Sequence, residues 1–289
     1  MEIDLLKSIL FNTVVLSFIY ILASLGFAFI FNMMGTINFA HGAIYMTSAF
    51  VCYYTSRWLG VSNWWALFIT IIVIGLFGIL LERTVFRVFM NNMNRTIMIS
   101  VALISIMQTT ITITAGTKEQ IIESFIKGTT MVFGLSVSKE RLLILCIGAA
   151  CLIAVLIIVN KTTLGQQMEA IAQDRIGAAL QGININLVSA IVCAIGFILA
   201  AIAGCMMGSL QRIGPSMGDV ILVRILMIVM LAGVGSKSMN GLIVTGFIIG
   251  LVDSTLPIYI PGSAASAVTA VVVLLLMLIR PTGFFGHEM

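Results

Sequence analysis

Charged residues are scarce in this chain. Of its 289 residues only 9% are Asp, Glu, Lys or Arg, whereas 60% are hydrophobic, and the mean hydropathy is +1.16. A soluble domain carries roughly 25% charged residues. So few charges cannot cover a water-soluble surface, and the net charge of +4 is too small and scattered to favour nucleic acid as a partner. The composition therefore predicts one membrane domain over residues 1–289, in contact with the lipid bilayer.

Residues that carry enzyme chemistry are also few. There are two histidines, His41 and His287, and the five cysteines form no CxxC pair. Neither an HExxH nor a GxSxG motif occurs, so we expect no zinc site, no hydrolase nucleophile and no cofactor. The segment from Gly233 to Ser238 superficially resembles a phosphate-binding loop. Such a loop needs Gly directly before its Lys, and here that position holds Ser236, so any ATP must be hydrolysed by another protein.

Long stretches without any charge alternate with short polar links. Each of six stretches reaches the roughly 20 residues that a helix needs to cross a bilayer. Because lipid offers no hydrogen bonds to the backbone, such stretches must be helical, and the alternating short strands of a barrel are absent. The sequence predicts an all-α, polytopic transmembrane helical bundle with about eight or nine spans, some broken near membrane depth. The spans are expected at residues 8–31, 38–56, 63–82, 96–116, 142–160, 187–209, 220–236, 241–259 and 263–280.

Two segments rich in Gly, Asn and Ser, residues 32–38 and 233–241, interrupt this pattern. Irregular backbone at membrane depth is tolerated only against protein or a watery cavity, and transporters often build their pathways from interrupted helices. Asn38 and His41 stand where the first broken helix begins again, so its free N–H groups would suit a solute carboxylate. Gly42 would allow close backbone approach. The alternative is that Asn38 only caps the helix and His41 bonds a backbone carbonyl.

Two links between spans are long. Residues 117–141 mix charged and apolar side chains and should form a partly amphipathic segment at one surface. Residues 161–186 have apolar residues near one face at helical spacing, with Thr162 placed to start a helix and Gly182 to stop it. The pattern predicts one surface helix, and it suits docking to a partner and lying on lipid equally well. Lys and Arg are balanced between the two sides, so charge does not orient the chain.

Arg224 and Asp253 are charged residues inside otherwise uncharged predicted spans. A lone charge at mid-bilayer costs about 2.5–3.5 kcal/mol on insertion scales, so each is expected to have a partner. At about 1.5 Å of rise per residue they lie roughly 6 Å and 9 Å from the same end of their spans. We predict an intramembrane ion pair. The alternative is that Arg224 extends outward to water or to Asp219.

Four stretches, in order along the chain, resemble a known family. Residues 35–46, G-T-I-N-F-A-H-G-A-I-Y-M, resemble the hallmark G-x-x-N-F-A-H-G-x-x-Y-M of the membrane permeases of branched-chain amino acid ABC importers. Residues 163–184 resemble that family's cytoplasmic coupling segment, residues 231–236 its L-G-G-I-G-S motif and residues 281–286 its P-T-G-x-x-G motif. The short chain and the N-F-A-H-G signature favour the smaller of the two permease types in these importers. Ala232, where the family more often has Gly, is a small-for-small departure.

The resemblance implies a multi-pass protein of a bacterial-type plasma (inner) membrane. It implies that residues 161–186, called the coupling segment below, face the cytoplasm and dock into ATP-binding cassette ATPase subunits. It also implies a second permease chain, as a paired heterodimer or a homodimer, and an extracytoplasmic solute-binding protein. The residues expected to act in ATPase coupling are Gly165, Glu169, Ala170, Asp174, Ala178, Ala179 and Gly182.

Three classes of function remain in view. The favoured one is a permease subunit of an ABC importer that moves a small solute into the cytoplasm, driven by a separate ATPase subunit. A self-sufficient secondary transporter is the alternative, and an intramembrane enzyme is disfavoured because no catalytic groups are paired. The solute stays open between a branched-chain or hydrophobic amino acid and a related amide or urea-like molecule, since the binding protein usually makes that choice.

Overall fold

The chain is a helical bundle. The computed structural model describes residues 2–89, 92–132, 134–233, 238–279 and 283–284. Its helices within those ranges are α1 (Glu2–Met34), α2 (Ala40–Leu59), α3 (Asn63–Leu81), α4 (Arg87–Phe89), α5 (Met93–Ala115), α6 (Lys139–Lys161), α7 (Thr163–Gln173), α8 (Arg175–Leu180), α9 (Ile185–Leu210), α10 (Met217–Ala232), α11 (Ser238–Tyr259) and α12 (Gly262–Ile279). A π-helical turn, Glu82–Phe86, joins α3 to α4, and two strands, β1 (Thr129–Val132) and β2 (Leu135–Ser138), precede α6.

Each of the nine predicted spans coincides with one of the longer helices. Within the described ranges, six helical segments are long and apolar enough to cross a membrane: α1, α3 with its continuation through α4, α5, α6, α9 and α11. The other three are α2, α10, which has 16 residues, and α12, whose apolar part is shorter. The prediction of an all-α, polytopic bundle is confirmed, while the number of true spans stays a prediction.

The link of residues 117–141 contains a β-hairpin, and its last three residues belong to α6. Strands β1 and β2 form an antiparallel hairpin in which Thr129 pairs with Ser138, and Gly134 turns the chain with a φ of +82°. Ahead of the hairpin, Gln120 exchanges backbone hydrogen bonds with Ile213, in the loop between α9 and α10. These loops therefore meet at one end of the bundle, where α5 and α9 both finish.

Two pairs of glycines set the closest helix approaches. A Cβ atom on Gly196 of α9 would lie 2.6 Å from the carbonyl oxygen of Gly26 of α1, and one on Gly26 would overlap the carbonyl of Gly196. Gly42 of α2 and Gly218 of α10 oppose each other in the same way. Small residues are the usual means of bringing helices this close in membranes. The central helices α1 and α9 are accordingly buried over most of their length.

Helix α2 begins deep inside the bundle. The ring of His41, its second residue, donates a 3.0 Å hydrogen bond to the carbonyl of Ala23, eleven residues before α1 ends. The same ring packs on Phe197, twelve residues after α9 begins. At about 1.5 Å per residue, both measures place the start of α2 roughly 16–18 Å from the end of the bundle where α1 finishes and α9 begins. The predicted break at residues 32–38 is present: α1 ends at Met34 and Gly35 has a φ of +64°.

Replacing Gly26 with Ala should destabilise the bundle, because the added methyl group would meet the backbone of α9 at Gly196. Overpacking typically costs about 1–3 kcal/mol. We expect a lower midpoint of thermal unfolding for the detergent-solubilised variant. Gly75→Ala is the matched control, since its methyl would meet only the tip of the Ile198 side chain, at 3.0 Å. Equal midpoints for the two variants would contradict the packing role of Gly26.

Candidate functional site

A cavity of about 340 Å³ opens between α1, α2, α9, α10, α11 and α12. Its mouth includes Glu119, Gln211 and Arg212, which belong to the loops where α5 and α9 finish. Its inner wall includes Tyr20 of α1 and Tyr45 of α2. Because α9 runs from the coupling segment to this mouth, the cavity opens at the end of the bundle opposite that segment. The coupling segment and the cavity are thus separated by the length of α9.

The two predicted partners, Arg224 and Asp253, are in contact on the wall of this cavity. Arg224 Nε donates to Asp253 Oδ2 as an ion pair between α10 and α11. The hydroxyl of Tyr20 donates to the same carboxylate oxygen at 2.9 Å, and the hydroxyl of Thr269 donates to the other at 3.2 Å. Arg224 also donates to the hydroxyl of Ser266 at 3.2 Å. One polar cluster therefore joins α1, α10, α11 and α12.

The start of α2 holds polar groups that are buried on every side. Asn38 is 1% exposed and His41 is fully buried. The side-chain oxygen of Asn38 accepts a hydrogen bond from the Ala40 N–H at 3.1 Å, and its carbonyl accepts one from the His41 N–H at 3.3 Å. The Phe39 N–H donates to the hydroxyl of Ser100 at 3.3 Å. The N–H groups of residues 39–41, which the sequence suggested for a solute carboxylate, thus already have partners within the protein.

Several other buried polar atoms lack a hydrogen-bond partner among the described residues. Four of them lie between residues 36 and 45, just before and within the start of α2: Thr36 Oγ1, Asn38 Nδ2, His41 Nδ1 and the Tyr45 hydroxyl. We call these four residues the polar row. Since His41 and Tyr45 are one helical turn apart, the row leads from the cavity wall at Tyr45 to the deep end of α2. Buried polar groups are nearly always satisfied, so each exception asks for an explanation.

Asn38, His41 and Gly42, which the sequence suggested for the substrate pathway, do not line the cavity itself. Asn38 and His41 lie beyond its inner wall, and Gly42 packs against Gly218. The contacts made by Asn38 Oδ1 and His41 Nε2 are those of the alternative interpretation, a cap and a bond to a backbone carbonyl. A role for the three residues in conduction stays a prediction.

The coupling segment is two helices rather than the single one predicted. Helix α7 ends at Gln173, and α8 begins at Arg175. The side chain of Asp174 accepts a 3.0 Å hydrogen bond from the Ile176 N–H and so caps α8. This local bond competes with helix continuation, which the apolar spacing alone could not show. Thr162 caps α7 and Gly182 follows α8 with a φ of +84°, at the predicted start and stop.

The structure divides the predicted coupling residues by exposure. Glu169, Asp174, Ala179 and Gly182 are exposed, Ala170 is half-buried, and Gly165 and Ala178 are buried. Gly165 lies against the backbone of Val159, and the Ala178 carbonyl accepts a 3.1 Å hydrogen bond from the Ile183 N–H, so these two residues shape the turns that begin and end the segment. Ile176 and Leu180 of α8 were not among the predicted coupling residues. They are 75% and 84% exposed, and their i, i+4 spacing is the signal that could have identified them.

Two parts of the predicted organisation lie outside the described residues. Residues 234–237, at the centre of the second predicted break, and residues 281, 282, 285 and 286 of the C-terminal motif are in this group. Gly233, with a φ of +84°, marks the end of α10 before the second break. Within the described ranges, no cluster of three His, Cys, Asp or Glu side chains could hold a metal ion.

The chain is similar to named transport proteins over almost its whole length. The family described as "Branched-chain amino acid transport system / permease component" matches residues 9–280. The high-affinity branched-chain amino acid transport system permease protein LivH of Escherichia coli strain K12 is 28% identical over 293 residues, which cover 96% of this chain and 94% of the relative. LivH of Salmonella typhimurium matches to the same extent. The permease protein BraD of Pseudomonas aeruginosa is 25% identical over 283 residues, covering 93% of this chain and 92% of the relative.

These matches agree with the resemblance of residues 35–46 and of the coupling segment. The relatives are named as permeases, not as enzymes. Together with the apolar helices of the bundle, they identify a multi-pass membrane protein that takes part in transport. The chain belongs to the family of permease components of branched-chain amino acid transport systems.

Proposed function

We propose that this chain is a transmembrane permease subunit of an ABC importer in a bacterial-type plasma (inner) membrane. It moves a small solute into the cytoplasm, driven by ATP-binding cassette ATPase subunits that dock on the coupling segment. The solute arrives from an extracytoplasmic binding protein at the opposite face, and a second permease chain completes the membrane unit. Membership of the permease family supports each of these assignments.

The exposed apolar face of α8 is the structural observation that carries the proposal. Ile176 and Leu180 stand one turn apart on a short helix, and Ala178 of the same helix is buried in the hydrophobic core of the bundle. An exposed apolar pair at i, i+4 on a helix packed against the bundle suits insertion into a groove of a partner protein.

The cavity and the polar row define the proposed solute pathway. The cavity lies at the end from which a binding protein would deliver solute, and the polar row continues from Tyr45 past His41 and Asn38. Non-helical backbone at residues 35–39 lies beside this row, as expected where an interrupted helix lines a pathway. We propose that Asn38 and His41 contact the solute through Nδ2 and Nδ1, the atoms that bond nothing else among the described residues.

The purified chain should neither hydrolyse ATP nor take up solute when it is reconstituted alone in liposomes, because its sequence holds no phosphate-binding loop. Uptake should appear when the ATPase subunits, the partner permease and the binding protein are added with ATP. The measurement is radiolabelled leucine uptake, since the relatives are named for branched-chain amino acids. Uptake by the isolated chain in response to an ion gradient would instead support a secondary transporter.

Gly182→Trp should abolish assembly with the ATPase while leaving the chain inserted in the membrane. Nothing lies within 4 Å of the position of a Cβ atom at Gly182, so the bulky side chain would project from the surface beside α8. The positive φ adds roughly 1–2 kcal/mol of local strain for any non-glycine residue. We expect loss of ATPase co-purification and of uptake.

Gly60→Trp is the matched control for this experiment. Gly60 also has a positive φ, +63°, and open space around it, but it ends α2 at the opposite end of the bundle. It should pay the same backbone strain and still assemble with the ATPase. If Gly182→Trp assembles and transports as well as Gly60→Trp, docking at the coupling segment is refuted.

We propose that the Arg224–Asp253 pair fixes the last helices of the bundle. Removing one partner of a buried pair costs about 3–5 kcal/mol, because the remaining charge is left uncompensated. Arg224→Leu and Asp253→Leu should therefore each reduce the folded yield in membranes more than the double replacement does. A double-mutant cycle on that yield measures the coupling. Additive effects would mean that the pair contributes nothing of its own.

A further inference from the structure

Arg224 retains hydrogen-bonding capacity on the wall of the cavity. A guanidinium has five N–H groups. Three of those of Arg224 are directed at Asp253, the Val220 carbonyl and Ser266. The guanidinium carbon also lies 5.9 Å from the centroid of the Tyr20 ring, on the same wall of the cavity. Planar guanidinium groups are suited to binding a carboxylate through two parallel hydrogen bonds.

Asp253 offers much less to a ligand than its partner does. Its two oxygens already accept hydrogen bonds from Arg224, Tyr20 and Thr269, which uses most of the capacity of a carboxylate. Its side chain is 6% exposed, against 16% for Arg224. The cavity therefore presents the positive member of the ion pair, and the negative member lies behind it.

Tyr45 supplies a second, independent observation. This residue lines the cavity, is fully buried, and its hydroxyl has no partner among the described residues. Tyr45 and Arg224 line the same cavity. A buried hydroxyl without a partner is unfavourable, and a ligand oxygen beside Arg224 would satisfy it.

The remaining walls set the size and character of a ligand. Leu16, Met207, Val220, Ile221 and Pro257 give the cavity an apolar lining beside the polar cluster, and the charged residues Glu119 and Arg212 lie at its mouth. A volume of about 340 Å³ lies at the lower end of the range for small-molecule pockets. The cavity thus combines an apolar compartment with one cationic, multiply donating corner. A urea-like solute would leave that compartment unfilled.

We propose that this cavity binds a small solute through its carboxylate, held by Arg224 and the Tyr45 hydroxyl, with an apolar substituent against Leu16, Val220 and Ile221. The inference rests on the proposed function and narrows its solute class. It also means that the permease selects the solute by charge, in addition to any choice made by the binding protein. The carboxylate site lies at Arg224 and not at the start of α2, whose first N–H groups are already bonded.

The test compares L-leucine with L-leucinamide, which keeps the side chain and the amine but has no carboxylate. Equilibrium binding of each radiolabelled probe is measured on the complex with its ATPase and partner permease in lipid nanodiscs, and on the purified chain. We expect leucine to bind at least about tenfold more tightly than leucinamide, since a hydrogen bond to a charged group is stronger than one to a neutral group.

Tyr45→Phe removes only the hydroxyl and should weaken leucine binding about tenfold, and leucinamide binding less, because the lost hydrogen bond is to a charged oxygen in leucine and to a neutral one in leucinamide. If the Tyr45 hydroxyl did not contact the solute, its removal would leave the affinity for leucine unchanged. Loss of an unpartnered buried hydroxyl is not expected to destabilise the fold. Tyr53→Phe is the matched control on the same helix, since its hydroxyl donates to Gln120 at 2.8 Å and does not line the cavity.

Arg224→Lys keeps the charge opposite Asp253 but loses the planar guanidinium, and it should also reduce the preference for leucine over leucinamide.

Equal affinity for the two probes, or unchanged leucine affinity in Tyr45→Phe, would overturn the carboxylate site. Absence of leucine binding by the wild-type complex would overturn it too. The proposed function fails separately: a chain that binds leucine but never assembles with an ATPase would refute the importer and leave the site intact. An importer that hydrolyses ATP and transports leucinamide or urea as well as leucine would leave the importer and refute the site.

Discussion

A helix that begins inside a bundle must have its first N–H groups hydrogen-bonded by protein, because lipid offers no acceptors. The rest of this structure depends on the hydrogen bonds that satisfy the first N–H groups of α2. Asn38 bonds the Ala40 and His41 N–H groups, and Ser100 of α5 bonds that of Phe39. The ring of His41 then fixes the start of α2 to α1 through the carbonyl of Ala23. With its start held, α2 presents Tyr45 to the cavity one turn later.

The glycine contacts and the ion-pair cluster hold different helices of the bundle together. Gly26 and Gly196 bring α1 against α9, and Gly42 against Gly218 brings α2 against α10, without polar groups. The cluster around Arg224 then ties α10 and α11 to α1 and α12 by hydrogen bonds. The glycine contacts depend only on the absence of side chains, whereas the buried charges of Arg224 and Asp253 depend on the hydrogen-bonding groups around them.

The sequence allowed the helices and the ion pair to be predicted, but not the environment of either. Charge-free stretches locate spans because lipid penalises charge, and Arg224 and Asp253 stood out as lone charges within them. Tyr20 gave no such signal, since an aromatic residue in an apolar run is compatible with lipid, core or cavity. Tyr45 belongs to the hallmark of residues 35–46, but the motif alone assigned it no role. The break at Asp174 was missed because apolar spacing continues across it, while the deciding bond is local. The start of α2 was placed correctly, yet which of its N–H groups remained free depended on Ser100, 61 residues away in sequence.

Helix α9 is the element through which the proposed docking surface and the cavity would influence each other. It begins at Ile185, where Asn184 caps it at the end of the coupling segment, and its other end contributes Met207 to the cavity wall. Its 26 residues span about 39 Å without interruption. Along that length Gly196 and Gly204 lie against the backbones of α1 and α2, so α9 cannot shift without shifting the helices that carry Tyr20 and Tyr45. A displacement of α8 by an ATPase would therefore move the cavity walls through α9. Its backbone contacts with α1 and α2 are so close that a single methyl group would not fit between them.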